Sequence, residues 1–301
     1  MKVIRAEALG LCFGVRDALE VARGVDDPAA VTIHGELVHN ERVLHELEAR
    51  GFHSTPERDR RAIPETAELL ITAHGISDRE RSRLEAAGKR LIDTTCPLVR
   101  RVHFAARSLA SAGFHVLVIG RPGHVEVAGI VEDLDDHDVI ASVDDVRTWP
   151  HARLGIVCQT TTPPRLVAEI HAAVRQRNPR AEIRFVDTVC QPTRDRQSAV
   201  ERLCRQVELV VVVGGANSNN TRQLVELCRA RGTPAVQVQS PRQLDPEWFR
   251  GLRTIGLTAG TSTLDETVEE VCAALCALPE SAFDVPGPSG AATAAHGRCH
   301  S

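Results

Sequence analysis

Short runs of β-branched and other apolar residues alternate with amphipathic helical patterns along most of this chain. The predicted strands cover residues 31–34, 69–72, 91–93, 116–119, 154–157, 183–186, 210–213, 235–238 and 254–257. The clearest helical patterns cover residues 99–112, 164–177, 199–206 and 265–278. This alternation predicts an α/β fold in which largely parallel sheets lie between layers of helices.

One stretch of sequence recurs at similar intervals. LIDTTCP at 91–97 resembles FVDTVCQP at 185–192, since each has a strand pattern, Asp-Thr, a cysteine and a proline that suits the first turn of a helix. Cys12 lies in a similar setting, between an apolar run and a helical pattern. We therefore predict three α/β units at 13–96, 97–189 and 190–283, with the N-terminal strand within 1–12 joining the third unit.

Charge and hydropathy argue against several classes of partner. The 36 basic and 40 acidic residues give a net charge of -4, which provides no overall attraction to nucleic acid or to an anionic membrane. The longest apolar runs are far shorter than the roughly 20 residues that span a bilayer. Charged residues occupy the start of the chain, where a secretory segment would be apolar. We expect a cytoplasmic protein that binds neither nucleic acid nor membrane and keeps its cysteines reduced.

Three of the nine cysteines, Cys12, Cys96 and Cys190, lie at predicted strand-to-helix turns. The positive end of a helix dipole lowers the pKa of a thiol, and three thiolates that meet near a pseudo-threefold axis suit a metal centre. A 4Fe–4S cluster with three cysteine ligands would leave one iron open to substrate. Because no C-x-x-C pair accompanies them, the cluster is favoured, while zinc and plain core cysteines remain as alternatives.

The other cysteines have simpler interpretations. We expect five of them to pack in the core as small apolar residues, namely Cys158 in a strand and Cys204, Cys228, Cys272 and Cys276 on helices. The segment 284–301 is rich in Pro, Gly, Ala and Ser and is predicted to be disordered. Metal binding by its His296, Cys299 and His300 is the weaker alternative there.

Histidines and small polar residues also follow predicted strands, at the edge of an α/β sheet where ligands bind. His39, His74 and His124 each occupy such a position beside glycine or asparagine. His124 and Glu126 lie two residues apart on a turn, close enough to share a proton path in general acid catalysis. The segments 217–221 and 258–262 open helices and suit an anion, although ordinary helix capping explains either one alone.

These polar residues belong to motifs in a fixed order. The motifs are GLCFGV (10–15), ELVHN (36–40), AHG (73–75), DTTCP (93–97), GHVE (123–126), QTT (159–161), Cys190, NSNN (217–220) and TAGTS (258–262). The ordered set resembles the LytB (IspH) family of 4-hydroxy-3-methylbut-2-enyl diphosphate reductases. Motifs of P-loop, Rossmann dinucleotide-binding and serine hydrolase proteins are absent from the sequence.

The resemblance implies a role for individual residues. Cys12, Cys96 and Cys190 correspond to the three ligands of the family's 4Fe–4S cluster. Glu126 corresponds to the proton donor, which acts through His124 or Thr160, so these three residues are the expected catalytic set. The residues that correspond to the substrate pocket are His39, His74, His124, Thr160, Ser218, Asn219, Asn220 and Ser262.

The resemblance also implies an overall arrangement and a reaction. Three α/β units would form a trefoil around a central iron–sulfur cluster. The enzyme would remove the hydroxyl group of 4-hydroxy-3-methylbut-2-enyl diphosphate reductively and form isopentenyl and dimethylallyl diphosphate, the last step of the non-mevalonate isoprenoid pathway. Reduced ferredoxin or flavodoxin would supply the electrons.

Three positions depart from the family pattern. Asn219 stands where the family commonly has a second serine, and Val125 replaces a common proline. After Cys190 the chain reads QPTRDRQ, where the family has a threonine-rich helix opening. We expect at most a small change in substrate affinity, because none of these positions is a cluster ligand or the acid.

Two other functions remain as alternatives from the sequence. A diverged iron–sulfur paralogue that acts as a redox sensor without turnover would keep the three cysteines but would not need Glu126. A zinc-dependent hydrolase would use His124 and Glu126 as a catalytic pair and would lack iron.

Overall fold

The structure is a computed structural model that describes residues 2–278, apart from the side chain of Arg58. Its strands β1 to β12 are Lys2–Arg5, Val31–His34, His53–Thr55, Glu68–Ile71, Arg90–Asp93, His115–Ile119, His137–Ile140, Arg153–Cys158, Glu182–Phe185, Leu209–Val213, Ala235–Val238 and Thr254–Ala259. Its helices α1 to α9 are Phe13–Arg23, Glu41–Ala49, Asp78–Ala86, Pro97–Ser111, Val125–Glu132, Pro164–Arg177, Gln191–Cys204, Asn219–Ala230 and Asp265–Cys276. None of these described helices is long and apolar enough to cross a membrane. The predicted disordered segment 284–301 lies outside the described residues.

The strands form three four-stranded sheets, in the orders β3-β2-β4-β5, β7-β6-β8-β9 and β1-β12-β10-β11. Every strand pair within the described residues is parallel. The first strand returns to the last sheet, where Lys2 pairs with Thr254. The predicted α/β fold with three similar parallel units is therefore confirmed.

The cores of the three sheets are built from their inner strands. β6 and β10 are buried at every residue, and β4, β8 and β12 are buried at all but their first. A parallel strand covered by helices on both faces needs apolar side chains on both sides, which explains the unbroken valine run of β10. These rigid strands fix the positions of the loops that follow them.

Two strands were missed from the sequence, and both are edge strands. β3 is largely exposed and β7 is mostly half-buried, and each is the first strand of its sheet order. An edge strand has one paired neighbour and needs few apolar residues, so its sequence lacks the pattern that marks an inner strand. Helix α7 also begins earlier than predicted, because its polar first turns hide the helical pattern.

The core cysteines behave in two ways. Cys158 and Cys228 are fully buried, as predicted. Cys276 is exposed and Cys272 is half-buried, so the prediction of a core position is wrong for Cys276. Val271 is fully buried in the apolar stripe of α9, whereas Cys276 lies five residues further along, about 140° around the helix from it.

Candidate active site

Each of the three predicted cysteine ligands directly precedes a helix. Cys12 precedes α1, Cys96 precedes α4 and Cys190 precedes α7. Each cysteine also follows the carboxyl end of a strand, at the edge where parallel sheets present ligand-binding loops. As a result, the three thiols line a single pocket at the centre of the three sheets.

At Cys96 and Cys190 the helix ends do not lower the pKa of the thiol as we expected from the sequence. Burial raises the pKa of Cys96, and hydrogen bonds from the backbone N–H groups of Leu98 and Val99 offset this only in part. Burial also raises the pKa of Cys190 to about 11, against the opposing effect of Thr193. The cost of burying a thiolate therefore exceeds the effect of the helix dipole at both positions. A cation that binds these two thiols must displace their protons.

Arg196 is a buried cation beside the cysteines that the sequence analysis missed. It is 6% exposed, and its guanidinium donates hydrogen bonds to the backbone oxygens of Gly10 and Pro192. Burial lowers the pKa of Arg196, whereas the Cys12 and Cys190 thiols raise it. An arginine within the apolar stripe of α7 was the signal available in the sequence. Its positive charge favours an anionic group at the cysteines.

Three histidines from different loops meet on another wall of the pocket. The rings of His39 and His74 stack with centroids 4.3 Å apart. The His124 ring lies edge-on to both, at 5.4 Å from His39 and 5.6 Å from His74. The predicted histidine cluster is thus assembled from loops that follow β2, β4 and β6.

Burial keeps two of these imidazoles neutral. It lowers the pKa of His124 to about 3 and the pKa of His74 well below its usual value, and neighbouring histidines add to both effects. His124 Nδ1 accepts a hydrogen bond from the Glu126 N–H at 3.1 Å, so the neutral ring carries its proton on Nε2. This contact also forms the first turn of α5, which begins at Val125 where the family commonly has proline. His124 is therefore a neutral hydrogen-bond donor.

Glu126 is a buried carboxyl group, and among the described residues only Thr160 donates hydrogen bonds to it. It is 2% exposed, and its two oxygens accept hydrogen bonds from Thr160 N at 2.6 Å and Thr160 Oγ1 at 2.9 Å. Burial raises the pKa of Glu126 to about 7, and the two bonds from Thr160 lower it less than burial raises it. A carboxyl group with this pKa can hold a proton at neutral pH and release it, as a general acid must.

The predicted anion-binding residues lie where α8 begins and in the loop before α9. Ser218 caps α8 by accepting a hydrogen bond from Thr221 N at 3.3 Å, and Asn220 Oδ1 accepts one from Thr261 N at 3.1 Å. Ser262 Oγ donates to the backbone oxygen of His39 at 3.2 Å. Among the described residues, the buried Asn220 Nδ2 has no hydrogen-bond partner. The capping function predicted as the alternative is present at Ser218, and the free Asn220 amide remains available to a ligand.

Asn219 links the start of α8 to the loop after β8 through its amide group. Its Nδ2 donates to Thr161 Oγ1 at 2.9 Å, and its Oδ1 accepts from Arg222 at 2.6 Å. The position that departs from the family pattern therefore has two protein partners of its own. Its amide atoms are engaged by these partners and not left open as in Asn220.

All twelve residues predicted for the site line the same pocket. They are Cys12, His39, His74, Cys96, His124, Glu126, Thr160, Cys190, Ser218, Asn219, Asn220 and Ser262. Within the described part of the chain, no lysine or arginine lines this pocket. An anion bound there would be held by hydroxyl, amide, imidazole and backbone N–H groups.

Glu36 is a second residue that sequence analysis left without a role. Its Oε2 lies 2.8 Å from His39 Nδ1, and its backbone N–H donates to Glu57 Oε1 at 2.8 Å. Arg60 pairs with Glu57 at 3.2 Å. A carboxylate only accepts hydrogen bonds, so Nδ1 of His39 is the donor. Its Nε2 is buried and has no hydrogen-bond partner among the described residues. The i,i+3 spacing of glutamate and histidine was the available signal.

The cysteine wall fits a metal group held by three sulfur atoms. A Cβ on Gly14 would lie 2.4 Å from Cys96 Sγ, so only glycine lets α1 approach that sulfur this closely. The lining contains three cysteines among its described residues and no fourth. Three soft donors suit iron–sulfur or zinc chemistry with a coordination position left for another ligand.

Comparison with known proteins gives a consistent result. The LytB protein family matches residues 3–276. The 4-hydroxy-3-methylbut-2-enyl diphosphate reductase of Ralstonia nicotianae is 37% identical over 283 residues, which cover 92% of this chain and 87% of the relative. The enzyme of the same name from Methylibium petroleiphilum is 39% identical over 282 residues, covering 92% of this chain and 85% of the relative.

Solved structures give the same match. The E-1-hydroxy-2-methyl-but-2-enyl-4-diphosphate reductase of Plasmodium falciparum superposes with a TM-score of 0.85 at 27% identity, covering 95% of this chain and 92% of that one. A second structure is (E)-4-hydroxy-3-methyl-but-2-enyl diphosphate reductase, the terminal enzyme of the non-mevalonate pathway. It superposes with a TM-score of 0.64 at 29% identity, covering 92% of this chain and 99% of that one.

Proposed function

Because this chain belongs to the LytB protein family, we infer that it is a 4-hydroxy-3-methylbut-2-enyl diphosphate reductase. It is an oxidoreductase of the terminal step of the non-mevalonate pathway, and its substrate is an allylic diphosphate. The reaction breaks the bond between carbon and the hydroxyl oxygen and forms a carbon–hydrogen bond. It consumes two electrons and two protons and releases water, with isopentenyl and dimethylallyl diphosphate as the products.

The observation that carries this proposal is the meeting of a buried acid with three thiols in one pocket. Glu126 acts on the pKa of both Cys96 and Cys190, so its carboxyl group lies close enough to influence them electrostatically. A redox sensor has no use for a buried carboxyl group with a pKa of about 7 beside its sulfur ligands. A reductase that expels water needs one.

We assign the cofactor as one 4Fe–4S cluster held by Cys12, Cys96 and Cys190. When bound, the cluster supplies the electrons and a Lewis-acidic iron. The close approach of Gly14 to Cys96 and the buried cation of Arg196 support this assignment. The absence of a fourth cysteine among the described lining residues agrees with a cluster that has one iron without a protein ligand.

Glu126 supplies the proton that lets the hydroxyl group leave as water. The route runs through Thr160, whose Oγ1 lies 2.9 Å from Glu126 Oε2. His124 orients the substrate with its Nε2 proton, because its Nδ1 is already occupied by the Glu126 N–H. The Nε2 atoms of His39 and His74 are buried in the same wall without a partner among the described residues and can form hydrogen bonds with a bound substrate.

The diphosphate group is held by neutral donors. Ser218 and Asn220 lie at the start of α8, and Ser262 lies in the loop before α9. Backbone N–H groups at a helix start favour negative charge. Asn219 contributes through the backbone and through its bridge to Thr161. Since no cation lines the pocket within the described residues, its affinity for the diphosphate should depend only weakly on salt.

Three further assignments complete the proposal. Reduced ferredoxin or flavodoxin delivers the electrons, and the enzyme acts in the cytoplasm. The chain divides functionally into units at 13–96, 97–189 and 190–283, with strand β1 added to the third. The electron donor follows from the family resemblance, and the units follow from the positions of the three cysteines.

Purification under argon tests whether the protein holds an iron–sulfur cluster and whether it reduces the substrate. The protein should be brown, contain about four irons per chain, and reduce the diphosphate substrate with a reduced dye as electron donor. A colourless protein that contains zinc would refute the iron–sulfur assignment, and a brown protein without turnover would favour the redox sensor.

The ligand assignment has its own test. Cys12→Ser should lose iron and activity together, whereas Cys276→Ser should lose neither, because Cys276 is exposed and lies outside the pocket. Full iron content in Cys12→Ser would show that Cys12 is not a ligand.

A further inference from the structure

A compact group of histidines and aspartates lies where the strands of the second sheet begin, at the end of the sheet away from the candidate active site. His115 is the first residue of β6, Asp136 precedes β7 and His151 precedes β8. The active-site loop leaves the other end of β6, about 16 Å away at 3.3 Å per residue. His115 Nδ1, Asp136 Oδ and His151 Nε2 belong to a set whose ligand atoms all lie within 4.8 Å of one another. This group takes no part in the proposed reaction.

The orientation of His115 is fixed by a carboxylate on its far side. His115 Nε2 lies 2.9 Å from Asp138 Oδ2. Asp138 also accepts hydrogen bonds from Trp149 Nε1 at 2.6 Å and from Arg147 at 2.8 Å. A carboxylate only accepts hydrogen bonds, so His115 Nε2 is the donor to Asp138. In the neutral ring, Nε2 then carries the proton and Nδ1 has a free lone pair.

That lone pair is buried and faces another anion. The His115 side chain is 3% exposed, and its Nδ1 lies 2.8 Å from Asp136 Oδ1. Nδ1 makes no contact with hydrogen-bond geometry among the described residues. His151 Nε2 lies 3.1 Å from the other oxygen of Asp136, and its ring stacks on His115 at 4.0 Å and 5°. In the neutral ring the Nδ1 lone pair and this carboxylate oxygen repel each other, and a metal cation bound by both atoms would remove that repulsion.

We propose that His115, Asp136 and His151 form a binding site for a transition-metal cation of the zinc type. Two imidazole nitrogens and one carboxylate oxygen are a donor set found at zinc sites that leave a fourth position for water. Asp138 would be the outer carboxylate that holds the ligand histidine, an arrangement common at zinc sites. The three ligands come from the segments where β6, β7 and β8 begin, so the cation would hold these three strand starts together.

The surroundings allow the small movements that binding requires. Ligand atoms around a tetrahedral zinc lie about 3.3 Å apart for bonds of 2.0–2.1 Å. His115 is fixed, but the side chains of His151 and Asp136 are 35% and 64% exposed and can turn. The group borders a surface cavity of about 650 Å³, which leaves room for a water ligand.

Titration of the full chain with zinc chloride tests the site. The chain is purified under argon, treated with EDTA, and titrated calorimetrically beside His151→Ala and Asp136→Asn. Both variants keep all nine cysteines, so any zinc taken up by thiols is the same in all three proteins. Wild type should bind one more zinc ion per chain than either variant. Equal zinc stoichiometry in wild type and both variants would overturn the proposal.

Two further variants distinguish a specific zinc site from non-specific attraction of cations by acidic side chains. Asp138→Asn should weaken zinc binding by about ten-fold or more, as loss of an outer carboxylate does at known sites. Asp135→Asn removes a charge beside Asp136 whose side chain is 88% exposed, and it should leave zinc affinity unchanged. Equal weakening in both variants, or equally tight binding of magnesium chloride, would show a non-specific acidic patch and refute the site. Circular dichroism without metal checks that each variant folds.

Discussion

Replacing Glu126 with glutamine should lower turnover steeply and at the same time stabilise the protein. Glutamine has the shape of glutamate and can still accept the hydrogen bond from Thr160 N, which is now 2.6 Å from Glu126 Oε1. It cannot donate a proton to a leaving group, and it does not ionise. The substitution therefore removes one chemical property from the pocket and leaves its packing in place.

The size of the stability change follows from the pKa of the carboxyl group. Its pKa is raised from 4.5 to about 7 by burial, and one pH unit corresponds to about 1.4 kcal/mol. The folded chain binds this proton more tightly than the unfolded chain, so stability is highest below pH 4.5 and is lost as the pH rises through 7. Glu126→Gln removes that loss. The gain should be near zero at pH 4.5 and about 3 kcal/mol above pH 7.

The effect on catalysis has the opposite sign. Removal of a general acid typically lowers the rate by about 10² to 10⁴-fold. In the wild type, kcat should fall as the pH rises above about 7, because the protonated fraction of Glu126 falls. The residual rate of Glu126→Gln should not follow this profile. Iron content and substrate affinity should stay near wild type, since the carboxyl group is neither a cluster ligand nor a diphosphate contact.

Two measurements on the same preparations test this reasoning. Urea unfolding of the cluster-free chain at pH 5 and pH 8 gives the stability difference, and a reduced-dye assay of the loaded enzyme gives kcat. Glu266→Gln, at an exposed position on α9, is the matched control and should change neither quantity. A variant that keeps more than about a tenth of the wild-type rate would exclude Glu126 as the acid. No gain in stability at pH 8 would refute the raised pKa.

Three other residues give separate predictions. Gly14→Ala should lower iron content at least several-fold, since its Cβ would lie 2.4 Å from Cys96 Sγ; an iron content equal to wild type would show that α1 can move aside. Glu36→Ala should raise KM or lower kcat by about ten-fold, because His39 loses the acceptor that fixes its tautomer; an unchanged pH profile with unchanged kinetics would contradict that role. Arg196→Gln should shift the cluster's reduction potential to more negative values in a redox titration, while Arg196→Lys should restore most of it, since the reduced cluster gains negative charge.

The parts of the fold that sequence predicted are those with a strong local pattern. β10 has five consecutive apolar residues because helices cover both of its faces, and β2 and β11 were predicted with their bounds. The edge strands β3 and β7 were missed because an edge needs no such pattern. The same limit applied to α9, where the apolar stripe was predicted but Cys276 was wrongly included in it.

The candidate site also contains residues that the sequence predicted and residues that it did not. Motif order and the repeated strand–cysteine–helix pattern were sufficient to select the twelve residues that line the pocket. Glu36 and Arg196 were missed because their roles depend on contacts made in three dimensions. Glu36 reaches His39 through a side-chain hydrogen bond, and Arg196 reaches Gly10 from a distant part of the chain.

The sequence by itself determined the α/β class, the three-fold recurrence of the cysteines and the kinds of group the site contains, because these depend on local pattern and composition. Only the tertiary structure decided the ionisation of those groups. Burial raises the pKa of Glu126 to about 7 and the pKa of Cys190 to about 11, although the sequence suggested a lowered thiol pKa. Desolvation depends on everything packed around a group, and that is set by residues far away along the chain.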